Sequence, residues 1–246
     1  TLAKLTKNPD YRLFDILYNS LPDTHKQILT TQYRMIENIG NLISKVFYGG
    51  IIDTGCNNDE KRHGLTRYVG KSIVWFDTSA NKKKSQKRTK GGSYINEEEK
   101  RIILEILDDL KKTGELKGLD IGIITGYSGQ KELLRKSIKA TELDKIASKI
   151  DINTLDAFQG RENDIIIYST VRTRDSIGFQ KEKERVNVAF SRAKKLLIVC
   201  GDKNFFYNFD DQDNKFVEII DYISEGEECE IIQCDGGKLF ERESNS

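Results

Sequence analysis

At 246 residues, with 40 Lys and Arg against 39 Asp and Glu, the chain is long enough to bury a substantial core yet carries a net charge of only +1. That balance excludes a globally basic or acidic protein, so a polyanionic partner has to be met by a local cluster of charge. No stretch approaches the length of a membrane span; Cys56, Cys200, Cys229 and Cys234 are scattered, and the close pair Cys229 and Cys234 lies far in sequence from His25 and His63. The expectations are an intracellular, cytoplasmic protein with reduced cysteines, no metal site of its own and no membrane partner. The chain opens on Thr1 and its one Met is Met35, which leads us to expect a piece of a longer protein or a processed one.

In chain order, the first apolar run is "KQILTT", near 26–31. Ile39, Leu42, Ile43, Val46 and Phe47 then follow helical spacing. A polar, Gly-bounded stretch at 55–70 reads as a long loop and leads into "SIVWFD" at 72–77, a strand. The stretch 81–93, with Lys82, Lys83, Lys84, Lys87, Arg88 and Lys90 and no apolar residue before Tyr94, reads as a basic loop. It is either a solvated tether or a contact to a phosphate backbone.

Asn96 can cap the next helix, with Glu99 three residues on in a capping-box-like pattern. Ile102, Ile103, Ile106, Leu107 and Leu110 form its apolar stripe. "IGIIT" at 121–125 is a strand, Leu133, Leu134 and Ile138 mark a helix, and "DIIIYSTV" at 164–171 and "KLLIVCGD" at 195–202 are further strands. The residues from Gly236 read as a disordered tail. Strands alternating with helices predict an α/β fold, a doubly wound and mostly parallel sheet with helices on both faces, whose ligands bind beyond the carboxyl ends of the strands. One domain over 1–235 is expected, with its core at about 25–205.

"GLTRYVGKS", 64–72, imitates a phosphate-binding loop. The motif requires four residues between its glycines and a helix after it. Here there are five, and a strand follows. The stretch reads as a turn entering that strand, and a complete nucleotide hydrolase is not expected in this chain.

Three further stretches share an order and a setting: "QYRM" at 32–35, "TLDAFQGRENDIII" at 154–167, and "RVNVAFSRAKKLLIV" at 185–199, the last placing Arg192 late on a helix just before a strand. Together with "GIITGYSGQ", 122–130, and "SYINEEEKRIILEIL", 93–107, they resemble the second RecA-like domain of superfamily 1B helicases, the group containing the nonsense-mediated-decay RNA helicase. The resemblance spans about 25 to 205. Two departures bear on loop geometry. Ile36 and Glu37 stand where the family has His-Pro, and Gly126 stands where it has Pro.

The resemblance implies the C-terminal half of an ATP-dependent nucleic-acid helicase, with ATP in a cleft shared with an N-terminal RecA-like domain. Magnesium would be held mainly by that other domain, and this chain alone would be inactive. It implies that Tyr33 stacks on adenine, Arg34 and Arg192 reach the γ-phosphate, Gly160 lets the backbone approach phosphate, and Glu162 accepts from ribose. It further implies that Thr125, Gln130 and Thr154 contact the sugar-phosphate of single-stranded DNA or RNA, alongside Lys82, Lys83 and Lys84. Both arginines are expected in one cleft at the carboxyl end of the sheet.

On residue type alone, other readings stay open. Tyr33 can be a core-packed strand end, Arg192 a solvated helix residue, Gly160 a plain turn, Glu162 a surface carboxylate, and Thr125 and Thr154 ordinary β-branched strand residues. Two other classes also stay open: a non-catalytic nucleic-acid-binding or interaction domain derived from a helicase, and an unrelated α/β nucleotide-binding enzyme.

Overall fold

The computed structural model describes residues 13–27, 29–81, 85–115, 118–141, 143, 149–158 and 160–240. Helix α1 is Leu13–Ser20, and α2 is Glu37–Tyr48. Strands β1, Thr31–Gln32, and β2, Asp53–Thr54, pair with each other in a small parallel sheet. The main sheet contains β3, Ile73–Asp77; β6, Asp120–Thr125; β7, Lys149–Thr154; β8, Asn163–Ser169; β9, Ala193–Gly201; and β10, Cys229–Gln233. Its order is β10-β3-β9-β8-β6-β7, and every neighbouring pair is parallel. A parallel sheet needs helices on both faces, and its strands read as near-continuous apolar runs for that reason.

Alternate residues divide the core. Ile165 and Ile167 of β8 and Ile198 of β9 face α3, Glu97–Lys112, and α4, Ser128–Ala140. Ile166, Tyr168 and Val199 face α2, α5 (Lys183–Phe190) and, beyond the short α6 at Lys203–Tyr207, α7 (Phe216–Glu225). Among the described residues, no helix is long and apolar enough to cross a membrane.

Several boundaries differ from expectation. The run at 26–31 supplies only the start of β1 and no strand of the main sheet. It holds few apolar residues, and Leu29 is 83% exposed. The core runs past 205, because α7 buries Phe216, Ile219, Ile220 and Ile223 and β10 adds an edge strand. The basic stretch is not all loop. Lys82, Lys83 and Lys84 lie outside the described residues, but β4, Gln86–Arg88, pairs antiparallel with β5, Tyr94–Asn96. Buried Gln86 anchors this hairpin by accepting from the Thr173 amide at 2.9 Å. The tail is ordered at its start. Leu239 donates its amide to Glu105 at 2.8 Å, and the Phe240 ring meets Phe76 edge-on while Arg67 lies over it.

Among its described residues, the connection from β7 to β8 contains no α-helix. It crosses the sheet face in the span Leu155–Glu162, with Leu155 and Phe158 buried beneath it. Gly122 of β6 makes the room. A Cβ there would stand 2.6 Å from Phe158 Cζ and 2.6 Å from Ile166 Cδ1. Gly122→Ala is expected to destabilise the fold by about 1–3 kcal/mol through overpacking. Chemical denaturation checks this, and an unchanged midpoint would contradict the packing described.

Asn96 caps α3 as expected, accepting from the Glu98 and Glu99 amides. Glu99 does not complete a capping box, because the Asn96 amide donates to Gln130 instead. The Glu99 carboxylate is fully buried at the end of β8, where it accepts from Ser169 at 2.6 Å, Thr170 at 3.1 Å and the Val171 amide at 2.9 Å. Val171 has φ +69°, a left-handed conformation that a β-branched residue adopts only under constraint. Glu99 supplies that constraint by holding the Val171 amide.

Burial pushes the Glu99 carboxyl up to about 8 against its hydrogen bonds, with nearby Asp202 adding to the rise. The folded chain therefore keeps this proton where the unfolded chain has released it. The associated stability is full below the unfolded value of 4.5 and is lost as pH rises through about 8. Glu99→Gln mimics the protonated acid, so wild type is expected to lose stability relative to Glu99→Gln over that window. Parallel melting midpoints across the window would contradict this.

Candidate nucleotide site

Gln32 folds the "QYRM" stretch into a tight turn. Its Oε1 accepts from the Arg34 and Met35 amides at 2.9 and 2.8 Å, and its Nε2 donates to Met35 O and Thr54 Oγ1 at 3.0 and 2.7 Å. The Ile36 amide then donates to Lys194 O at 2.8 Å, pinning the turn to the start of β9. Tyr33 projects from this turn with its ring against Gly55, where a Cβ would meet Tyr33 Cε1. Tyr33 is 68% exposed, so it is not the core-packed strand end that residue type alone allowed.

Arg34 reaches the residue just before β8. Its Nε donates to Glu162 Oε2 at 2.6 Å and its Nη1 to Ser191 O at 3.3 Å. Arg192, just before β9, donates Nε to Val188 O at 3.0 Å and Nη1 to Arg161 O at 3.4 Å. Among the described residues, the Nη2 group of each arginine has no hydrogen-bond partner. Lys194 Nζ stands 3.6 Å from Glu162 Oε1.

The electrostatics follow from this cluster. Glu162 is held below the usual carboxylate range, first by its hydrogen bond from Arg34 and also by Lys194. The Arg192 guanidinium is lowered by burial and then by the charge of Arg34, so the two cations sense each other. Three cations share one carboxylate. Arg192 is aimed by carbonyl oxygens, which orient a guanidinium without neutralising it. Gly160, exposed with φ +81° and open space where a Cβ would be, completes the same edge. Gln159 beside it lies outside the described residues.

One expectation is corrected. This cluster lies at the amino ends of β8 and β9, not at the carboxyl end of the sheet. Glu162 and Arg192 immediately precede those strands, and in a parallel sheet such residues occupy the amino edge. Thr125 and Thr154 are register partners at the opposite, carboxyl end of β6 and β7.

The three neutral residues expected on nucleic acid divide. Thr154 is half-buried at the strand end. Thr125 is fully buried, and Gln130 is fully buried with Nε2 donating to Asn96 O and Ser169 Oγ, both at 3.1 Å. Neither of these two side chains meets a surface ligand directly. Gln130 instead ties α4 to β5 and β8.

The excess of cations, whose Nη2 groups have no partner among the described residues, fits a phosphoryl group, and the exposed Tyr33 ring fits a flat base. Magnesium does not fit in the same way. Among the described residues, no group of three or more His, Cys, Asp and Glu could hold a metal ion. The stretch 64–72 is a turn, Thr66–Tyr68 followed by Gly70 with φ +72°, leading into β3 rather than into a helix.

The sequence reading missed Lys194 as part of the site, together with the burial of Glu99 and the exposure of Phe179. The position of Lys194 two residues after Arg192 at a strand start was the available signal for the first.

A family model described as an AAA domain matches residues 10–204. An ATP-dependent helicase of Methanocaldococcus jannaschii is 32% identical over 237 residues, covering 91% of this chain and 33% of its own. Helicase SEN1 of Saccharomyces cerevisiae is 36% identical over 71% of this chain and 8% of its own. Regulator of nonsense transcripts 1 of Caenorhabditis elegans is 32% identical over 71% of this chain and 17% of its own. The chain thus spans a third or less of these relatives. It belongs to this AAA domain family and is a superfamily 1 helicase domain of the second RecA-like type.

Proposed function

We propose that this chain is the C-terminal RecA-like half of an ATP-dependent helicase or translocase acting on single-stranded nucleic acid. In this reading it completes an ATP site whose phosphate loop belongs to a separate N-terminal domain. The observation that carries the proposal is the convergence of Arg34 and Arg192 beside Tyr33 and Gly160 on one exposed edge.

Tyr33 stacks on the adenine. Arg34 and Arg192 present their Nη2 groups to the γ-phosphoryl oxygens and stabilise the charge that gathers there during in-line attack by water. Glu162 aims Arg34 through a charge-assisted bond, and it meets ribose only by sharing an oxygen already engaged by Arg34 or Lys194. When bound, ATP with magnesium supplies the transferred phosphoryl group and its counter-charge. The metal would be held mainly by the partner domain; among the described residues this chain has no acidic cluster for it.

The single strand lies at the carboxyl end. Thr154 makes a neutral backbone contact there, and the basic hairpin around Lys87 and Arg88 adds charge. Lys82, Lys83 and Lys84 would extend that charge.

This chain alone is expected to turn over no ATP. In a chain joining it to a phosphate-loop domain, Arg192→Ala should leave ATP binding nearly intact and lower turnover by roughly a thousandfold or more, the range for loss of an arginine finger. Arg192→Lys should recover little, because a point charge does not reproduce the planar fork. Steady-state ATPase assays decide the matter. Normal turnover by the Arg192→Ala protein, or clear turnover by this chain alone, would contradict the proposal.

A further inference from the structure

An aromatic ladder runs along the carboxyl end of the sheet, away from the nucleotide edge. The Tyr94 and Tyr127 rings meet edge-on with centroids 5.6 Å apart, and Tyr127 meets Phe179 at 5.5 Å and 51°. Arg172 lies 4.1 Å over Tyr94, and Arg185 lies 5.2 Å over Phe179. The ladder is buried at one end and open at the other. Arg172 is 4% exposed and Tyr127 5%, whereas Phe179 is 47% exposed.

Phe179 is not a loose surface residue. It sits in the 3-10 turn Gly178–Lys181 between buried Ile177 and buried Gln180. Gln180 accepts from Tyr168 at 3.2 Å and donates to Ile177 O at 2.8 Å. The ring rests on Gly126, where a Cβ would be 3.7 Å from Phe179 Cδ2. Gly178 takes φ +63°, and a Cβ there would collide with the Tyr127 hydroxyl, so no bulkier residue can shape this turn. An exposed aromatic ring fixed by its neighbours loses little conformational entropy when a second flat ring stacks on it.

Charge surrounds the ring. Arg185 is joined to Glu182 at 2.7 Å and reaches Asp156 at 3.8 Å, in the turn just after Thr154. Both acids are at least half exposed, so these are weak surface pairs that Arg185 can leave for a phosphate. Exposed Arg174 lies close by in sequence and donates to Gln86 O of the basic hairpin at 3.4 Å. An exposed aromatic face with a neighbouring cation is the chemistry that takes an unpaired base and its phosphate.

We infer that Phe179 is a base-stacking platform for a single-stranded nucleic acid, with Arg185 turning from its acidic neighbours to the adjoining phosphate. This rests on the nucleic-acid reading above and adds to it a contact that needs the base itself. The contact is blind to sequence, because every base has a π-face.

The test uses this chain and two single strands of about 12 nucleotides, one bearing bases and one abasic throughout. The chain's one tryptophan, Trp75, is fully buried, so Phe179→Trp places a reporter on the platform alone. At saturation, emission from the Phe179→Trp chain should be quenched by the base-bearing strand and not by the abasic one. Phe179→Ala should weaken binding of the base-bearing strand by about fivefold to a hundredfold. Its affinity for the abasic strand should stay at the wild-type value, which also reports an intact fold.

Equal weakening toward both strands, or no change toward either, would overturn the platform while leaving nucleic-acid binding standing. A wild-type chain that binds neither strand would overturn the nucleic-acid reading, and the platform with it.

Discussion

The short crossover from β7 to β8 is the constraint on which the rest depends. Most parallel connections use a helix, which separates the ends of a sheet by a long path. Here the chain leaves the carboxyl end at Thr154 and reaches the amino end at Glu162 in a single span, held flat by Leu155, by Phe158 over Gly122, and by the Leu155 amide on Thr125 O at 3.0 Å. The residues of the amino edge and those of the carboxyl end are therefore joined by one short segment, anchored by buried Leu155 and Phe158. Only seven positions separate Glu162 from Thr154 along the chain.

The two ends differ in how they treat charge. At the amino edge, three cations face one carboxylate in a half-exposed setting, which leaves a net positive field for an anion. At the carboxyl end the acid is internal, and burial keeps its proton on up to about pH 8. Glu99 is buried beneath Ser169, Thr170 and the strained Val171, and it fixes the direction in which Arg172 and Thr173 leave the sheet. A β-branched residue with positive φ persists only where its surroundings over-determine it, and strain of this kind concentrates at functional sites. Arg172 then lies flat on Tyr94 as the first step of the ladder ending at Phe179.

Much of this was legible in the sequence for physical reasons. Strands buried on both faces read as apolar runs, so β3, β6, β8 and β9 stood out, and α3 announced its start through Asn96. The members of the amino-edge cluster, proposed above as a nucleotide site, could be named because their residue types and order resemble a known domain. Their place at the amino edge is not legible from the general preference of ligands for carboxyl ends, because Glu162 and Arg192 precede their strands.

Other features were hidden for reasons that sequence pattern cannot resolve. β7 and β10 are edge strands with mixed polarity, and "DIN" or "CEI" alternates too briefly to stand out. Gln130 and Thr125 look like surface ligands by type, and only the fold shows that their polar atoms are satisfied from within. Phe179 looks like any core aromatic, and its exposure depends on Ile177 and Gln180 turning inward on either side of it.

The central claim is that phosphate at the amino edge and a strand at the carboxyl end are coupled through this domain. The most direct measurement is the affinity for a single strand of a protein joining this chain to a phosphate-loop domain, taken with and without ADP and aluminium fluoride as a transition-state mimic. Linkage requires that any such coupling be reciprocal. The account predicts that the mimic changes strand affinity in the wild type and that Arg192→Ala abolishes the change. A change of equal size in both proteins, or none in the wild type, would contradict it.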